Sequence, residues 1–278
     1  MPVNTQAVGK SYASTVYAVG REKVREYALA VGETNPLHLD HAAARAAGYA
    51  DVVAPPMFAV VYCAPSVAPA IFDPEVGMNF ALMVHGGQEF EWGPLVVAGD
   101  EVTTTVDGQG HRRARWPGLL CVRVAIGQSG WGDGLRGELD QHRQGGVMAS
   151  ADWQEGDELP ELTVTPDRFL TVRYAGASGD FNPIHIDEEF ARSVGLPGRI
   201  LHGLWSMAQV ARAQTEAAGG PQALRRLSVQ FRGMGVPEQE IIVRGTVRER
   251  DGARVVVDTV AEQGGQAIIR NAEAELAL

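Results

Sequence analysis

Gly179-Asp180-Phe181-Asn182-Pro183-Ile184-His185-Ile186-Asp187 echoes an earlier stretch, Gly32-Glu33-Thr34-Asn35-Pro36-Leu37-His38-Leu39-Asp40. Residues 32–40 recur at 179–187, an offset of 147. Carried on without a gap, that offset sets Ala44-Arg45 on Ala191-Arg192 and Gly48 on Gly195. It then sets Val52-Val53-Ala54-Pro55-Pro56-Met57-Phe58 on Arg199-Ile200-Leu201-His202-Gly203-Leu204-Trp205. One offset holding over about 27 residues marks a repeated structural unit, and repeats fix an architecture before local detail does. The chain reads as two copies of one fold.

Each copy has the same order of elements. Apolar spacing predicts a helix before the repeat (21–30 and 165–175), a short helix after it (40–47 and 187–194), and then a longer apolar helix (56–67 and 202–213). Strands fill the rest. In the second copy, alternating Val/Ile and polar residues predict them at 227–232, 239–249, 253–262 and 266–276. Asp251-Gly252 and Gly264-Gly265 are turn signals between them. One long helix against a twisted antiparallel sheet is an α+β layer. The expected units are 1–148 and 164–278, joined by an acidic linker near 149–162 that carries Pro160.

The bulk numbers exclude several classes. A net charge of −10 argues against a nucleic-acid surface. No run of about 18 apolar residues is present, so no membrane span is expected. The first ten residues lack a signal-peptide pattern, and Cys63 and Cys121 make neither a disulfide framework nor a zinc set. A cytoplasmic location is the default expectation, with no metal and no cofactor.

The sharpest signal is Ser178-Gly179-Asp180-Phe181-Asn182-Pro183-Ile184-His185, followed by Leu201-His202-Gly203-Leu204. It resembles the MaoC-like, or hydratase 2, family of (R)-specific enoyl-CoA hydratases and 3-hydroxyacyl thioester dehydratases. The first copy, with Tyr17-Ala18-Val19-Gly20-Arg21, Asn35-Pro36-Leu37-His38 and Val53-Ala54-Pro55-Pro56, resembles the dehydratase-like partner of such a unit. The resemblance implies two tandem hot-dog folds, each a long helix wrapped by a sheet. It also implies reversible hydration of trans-2-enoyl thioesters of CoA or a carrier protein, with Asp180 and His185 catalytic. The residue types suit that chemistry. Water must be activated and the α-carbon protonated, which a carboxylate and an imidazole can share. Negative charge gathers on the thioester oxygen, and an amide at a helix N-terminus can meet it. Gly203 stands where the long helix should begin, so its N–H is the expected donor. Asn182, Ser178 and Leu204 are the expected substrate-side residues. His202, at a cap position, reads as structural, and Trp205 and Met207 as core or tunnel lining. Against this stands ordinary turn chemistry, since Asp-x-Asn-Pro alone is a turn. The flanking residues decide for catalysis.

The first copy should be silent. Glu33 replaces Asp180, and its longer side chain misplaces the carboxylate. His38 is kept, but Pro56 replaces Gly203 and has no N–H to donate. Residues 109–145 are anomalous, with much Gly, Arg and Trp and little alternation outside 119–126. Two readings stand. One is a long basic loop that binds a nucleotide phosphate. The other is an out-of-frame stretch of the coding sequence, because codons permitted for 110–124 and 136–145 give strand-like text one base later. Rival functions are a hot-dog acyl thioesterase and a non-catalytic acyl-binding partner subunit. The double unit already supplies what single hot dogs reach by pairing, and a homodimer of double hot dogs is open to it.

Overall fold

The computed structural model describes residue 4 and residues 10–83, 85–107, 123–129 and 152–278. In the first copy, β1 (Thr15–Ala18) leads into α1 (Arg21–Val31), the single turn α2 (Pro36–Leu39) and α3 (His41–Ala46). A 3₁₀ turn at Pro56–Phe58 opens α4 (Ala59–Ile71), and β2 (Gly87–Glu91), β3 (Glu101–Asp107) and β4 (Arg123–Ser129) follow. The second copy runs β5 (Leu162–Val164), α5 (Leu170–Ser178), α6 (Pro183–Ile186), α7 (Glu188–Ser193) and α8 (Gly203–Ala217). It ends in β6 (Leu224–Phe231), β7 (Ile241–Asp251), β8 (Arg254–Gln263) and β9 (Gln266–Ala277).

Alternation builds the second sheet. In β7, Ile241, Val243 and Val247 are buried, while Arg244 and Arg248 point to solvent and pair with Glu262, Asp258 and Glu273. Gly264 and Gly265 both adopt positive φ in the two-residue turn between β8 and β9, which is why glycines stand there. The apolar face closes over α8, buried from Trp205 to Thr215. A helix buried all round is the centre of a core, and this is the hot-dog arrangement of the second copy.

Two boundaries differ from the sequence reading. Helix α5 begins at Leu170, not at 165. Pro166 disfavours helical backbone in the residue before it, and Asp167 Oδ1 accepts from the Phe169 amide in a local turn. The later part of the expected linker is bonded to the second sheet. Gly156 and Leu159 donate to Val247 O and Gly245 O, and Leu159 is buried.

The two sheets are built alike. The second has the order β6-β9-β8-β7-β5, and the first has β4-β3-β1 in matching positions. Strand β2, the first strand after α4, crosses over and pairs antiparallel with β6, the first strand after α8. Phe90 stands opposite Leu227 and Glu89 opposite Ser228, and Arg226 bonds to Glu89 across the seam. Among the described residues, nothing takes the place between β4 and β2 that β9 takes between β8 and β6. The anomalous stretch 109–145 lies outside the described residues except for Arg123–Ser129, which pairs with β3 in unbroken register.

A chain of rings links the copies. It runs Tyr17, Phe58, Tyr27, Tyr174, His202, His185, with successive centroids 6.3, 5.6, 5.9, 4.8 and 3.8 Å apart. Tyr27 and Tyr174 are repeat partners at the offset of 147. Each large ring buried here is worth about 1.5–3 kcal/mol, so the seam between the copies is core and not a loose contact. Among the described residues, no helix is long and apolar enough to cross a membrane.

Candidate active site

The second copy's site begins where α5 stops. Gly179 takes the left-handed conformation, φ 81°, and ends the helix after Ser178. Ser178 Oγ donates to Tyr174 O at 2.7 Å and accepts from the Asp180 amide at 3.2 Å, so it holds the turn. Asn182 then caps α6, accepting from the Ile184 amide, with Pro183 at the first helical position. Its Nδ2 donates to Phe80 O of the first copy at 2.7 Å.

That single turn aims His185. Nδ1 lies 2.9 Å from Ile200 O, a carbonyl that can only accept, so Nδ1 carries the proton and Nε2 keeps its lone pair. His202 Nε2 likewise donates to Asp180 O at 3.0 Å. The two rings stack with centroids 3.8 Å apart and planes 27° from parallel. Burial pushes the His185 pKa down, opposed by the Ile200 bond and by Asp180. Burial and the neighbouring His185 ring lower His202 too. At neutral pH both are neutral, and His185 can take a proton.

Asp180, His185 and His202 each bring a candidate ligand atom within 4.8 Å of the others. The stacking favours proton chemistry over a metal. Lone pairs lie in the ring planes, and nearly parallel rings do not converge on one ion as tetrahedral ligands do. His202 is also the N-cap of α8, with Gly203 first in the helix. The Gly203 amide is therefore one of the orphan donors at a helix N-terminus. Phe231 covers this glycine, its ring atoms 3.3–3.5 Å from where a Cβ would stand. Leu204 is half-buried against the core, and Trp205 and Met207 are core.

The first copy repeats the scaffold with different contents. Asn35 caps α2, and His38 Nδ1 donates to Val53 O at 2.7 Å. Glu33 and His38 are both buried. Pro56 lies at the Gly203 position without an N–H. The sequence reading missed a further obstruction, Arg212 on α8. Its guanidinium donates to Val31 O at 3.2 Å and Gln209 Oε1 at 3.0 Å, and pairs with Glu216. It stands 3.0 Å from where a Cβ on Gly32 would be, whereas the same point on Gly179 has nothing within 4 Å. The repeat offset puts Pro65 of α4 in Arg212's place. The space beside Gly32 is filled, and the matching space beside Gly179 is open. A lone Arg within an apolar helix was the available signal.

Burial lifts the Glu33 carboxyl to about 7, with Arg212 opposing the rise. Up to its unfolded value of about 4.5 it is protonated in both states. As pH climbs to about 7, the unfolded chain loses the proton first, so stability falls. The full loss is about 3 kcal/mol. Glu33→Gln should therefore raise the melting temperature at about pH 8 and change it little at about pH 5. Equal effects at both pH values would remove this account of Glu33.

Comparisons with known proteins agree with the two-copy division. Residues 6–125 match the model of the FAS1-like dehydratase domain region, and residues 152–266 match the MaoC-like domain. A UPF0336 protein of Clavibacter michiganensis subsp. michiganensis is 52% identical over 107 residues, 38% of this chain and 72% of that one. A UPF0336 protein of Saccharopolyspora erythraea is 40% identical over 127 residues, 45% of this chain and 81% of that one. A solved MaoC-like dehydratase superposes with a TM-score of 0.82 at 27% identity, covering 98% of this chain and 99% of its own.

Proposed function

Because the chain belongs to the MaoC-like dehydratase family, with a FAS1-like dehydratase region as its first copy, we propose that its second copy hydrates trans-2-enoyl thioesters reversibly to (R)-3-hydroxyacyl thioesters. The carrier is CoA or a carrier protein. The observation that carries this reading is the gathering of Asp180, His185 and His202 at the N-terminus of α8. Asp180 and His185 hold a water whose oxygen bonds to C3. They take the proton it releases and return a proton to C2. Charge on the thioester oxygen rises as C2 gains carbanion character, and the Gly203 amide meets it. Asn182 keeps the Asp180-to-His185 turn in place through its bonds to Ile184 and Phe80. The first copy takes no part in proton transfer. Its Glu33 is buried within electrostatic reach of Arg212, and Pro56 offers no amide.

The test is a hydration assay with crotonyl-CoA and longer enoyl-CoA substrates, following loss of the enoyl absorbance and release of free thiol in parallel. Loss of absorbance without thiol is expected. Thiol release would make the protein a thioesterase, and neither signal would leave a non-catalytic acyl-binding subunit.

A further inference from the structure

A segment of the first copy runs beside the second copy's site. Where β2 meets β6, the Phe231 amide donates to Gly86 O at 3.1 Å, just beyond the Gly87–Gln230 pair. The residue before Gly86 is His85. Its half-buried ring meets the Phe231 ring edge-on, with centroids 6.0 Å apart. Phe231 in turn lies over Gly203. Five residues upstream of His85, Phe80 O accepts from Asn182 in the turn between Asp180 and His185. Two hydrogen bonds, one on each side of His85, thus fasten this first-copy segment beside the site.

We infer that His85 is a further group of the active site, donating a hydrogen bond from its ring to the thioester oxygen that the Gly203 amide also serves. This rests on the hydratase reading above. Three titratable groups lie within electrostatic reach of His85. Asp180 and His185 both act on it electrostatically, and His202 feels its charge. Burial and His185 favour its neutral form, and Asp180 opposes them. A neutral imidazole has one N–H to give and adds no net charge beside the carboxylate. The backing ring of Phe231 limits how His85 can turn.

The test pairs His85→Phe, which removes the donor, with His85→Gln, which keeps one. For His85→Phe, kcat for enoyl-CoA hydration should fall by about 10²-fold with KM changed far less, as for loss of an oxyanion donor. His85→Gln should recover part of the loss. A packing role would give the opposite order, because Phe fills the space better than Gln. A second arm needs no turnover: the His85 ring, followed by NMR, should titrate at lower pH in Asp180→Asn than in the wild type. Wild-type kcat in His85→Phe, or an unmoved His85 titration in Asp180→Asn, would overturn the inference and leave the hydratase reading standing. A wild-type protein that hydrates no enoyl thioester would fail that reading itself.

Discussion

Asp180→Asn should lower kcat for enoyl thioester hydration by about 10³-fold or more, in the upper part of the range for loss of a general acid–base group. The substitution is close to isosteric. The backbone carbonyl of residue 180 still accepts from His202, its amide still donates to Ser178, and an amide oxygen can still accept from the Asn182 N–H. The fold and the His185–His202 stack should therefore survive, and the melting temperature should stay near wild type. His185→Ala should cost a similar factor, and the double variant little more than either, because the two act on one proton path. Glu33→Gln should leave kcat unchanged. Steady-state kinetics on these four variants decide the matter. Full activity in Asp180→Asn with none in Glu33→Gln would place the reaction in the other copy.

Gly203→Pro is the second large effect. Proline is accepted at the first position of a helix, so α8 should still form, but the amide is gone. Removing one donor to a developing oxyanion costs about 10²–10³-fold in kcat. Proline also adds a Cβ against Phe231, so Gly203→Ala is the needed partner. Alanine brings the same Cβ and keeps the N–H. Its loss should come mainly from displacing the Phe231 ring and should be much the smaller. If Ala and Pro variants fall equally, the Gly203 amide is not the donor and steric fit over the glycine is what matters.

Much of the scaffold was legible because its causes are local. The Gly-x-x-Asn-Pro pattern specifies a helix stop, a cap and a single turn, and that turn repeats 147 residues on. Glycines at 264 and 265 mark a hairpin for the same local reason. The proline at 56 could be read against Gly203 without any structure. What stayed hidden depends on contacts between distant residues. Nothing near Gly87–Glu91 says that β2 will leave its own copy for β6. His85 sits in no motif, and only that crossing brings it to Phe231. Arg212 belongs to the second copy's helix but stands against Gly32 of the first, a contact that no local pattern in either repeat encodes. Helix α5 starts later than its apolar spacing implies, because that spacing extends over Pro166, which weighs against helix at the residue before it.

The position of Arg212 also bears on how such a chain can change with descent. Under the proposed function, the first copy is disabled by Glu33, by Pro56 and by a guanidinium lent from its twin. On that reading, reversing any one of them leaves the other two in place. Arg212 moreover serves as a hydrogen-bond donor to the end of α1, so removing it first would leave the Val31 carbonyl less well satisfied. The two copies are not interchangeable as they stand: α8 of the second bonds to the end of α1 in the first, and β2 of the first pairs with β6 of the second, so a change in either shared part is felt in both.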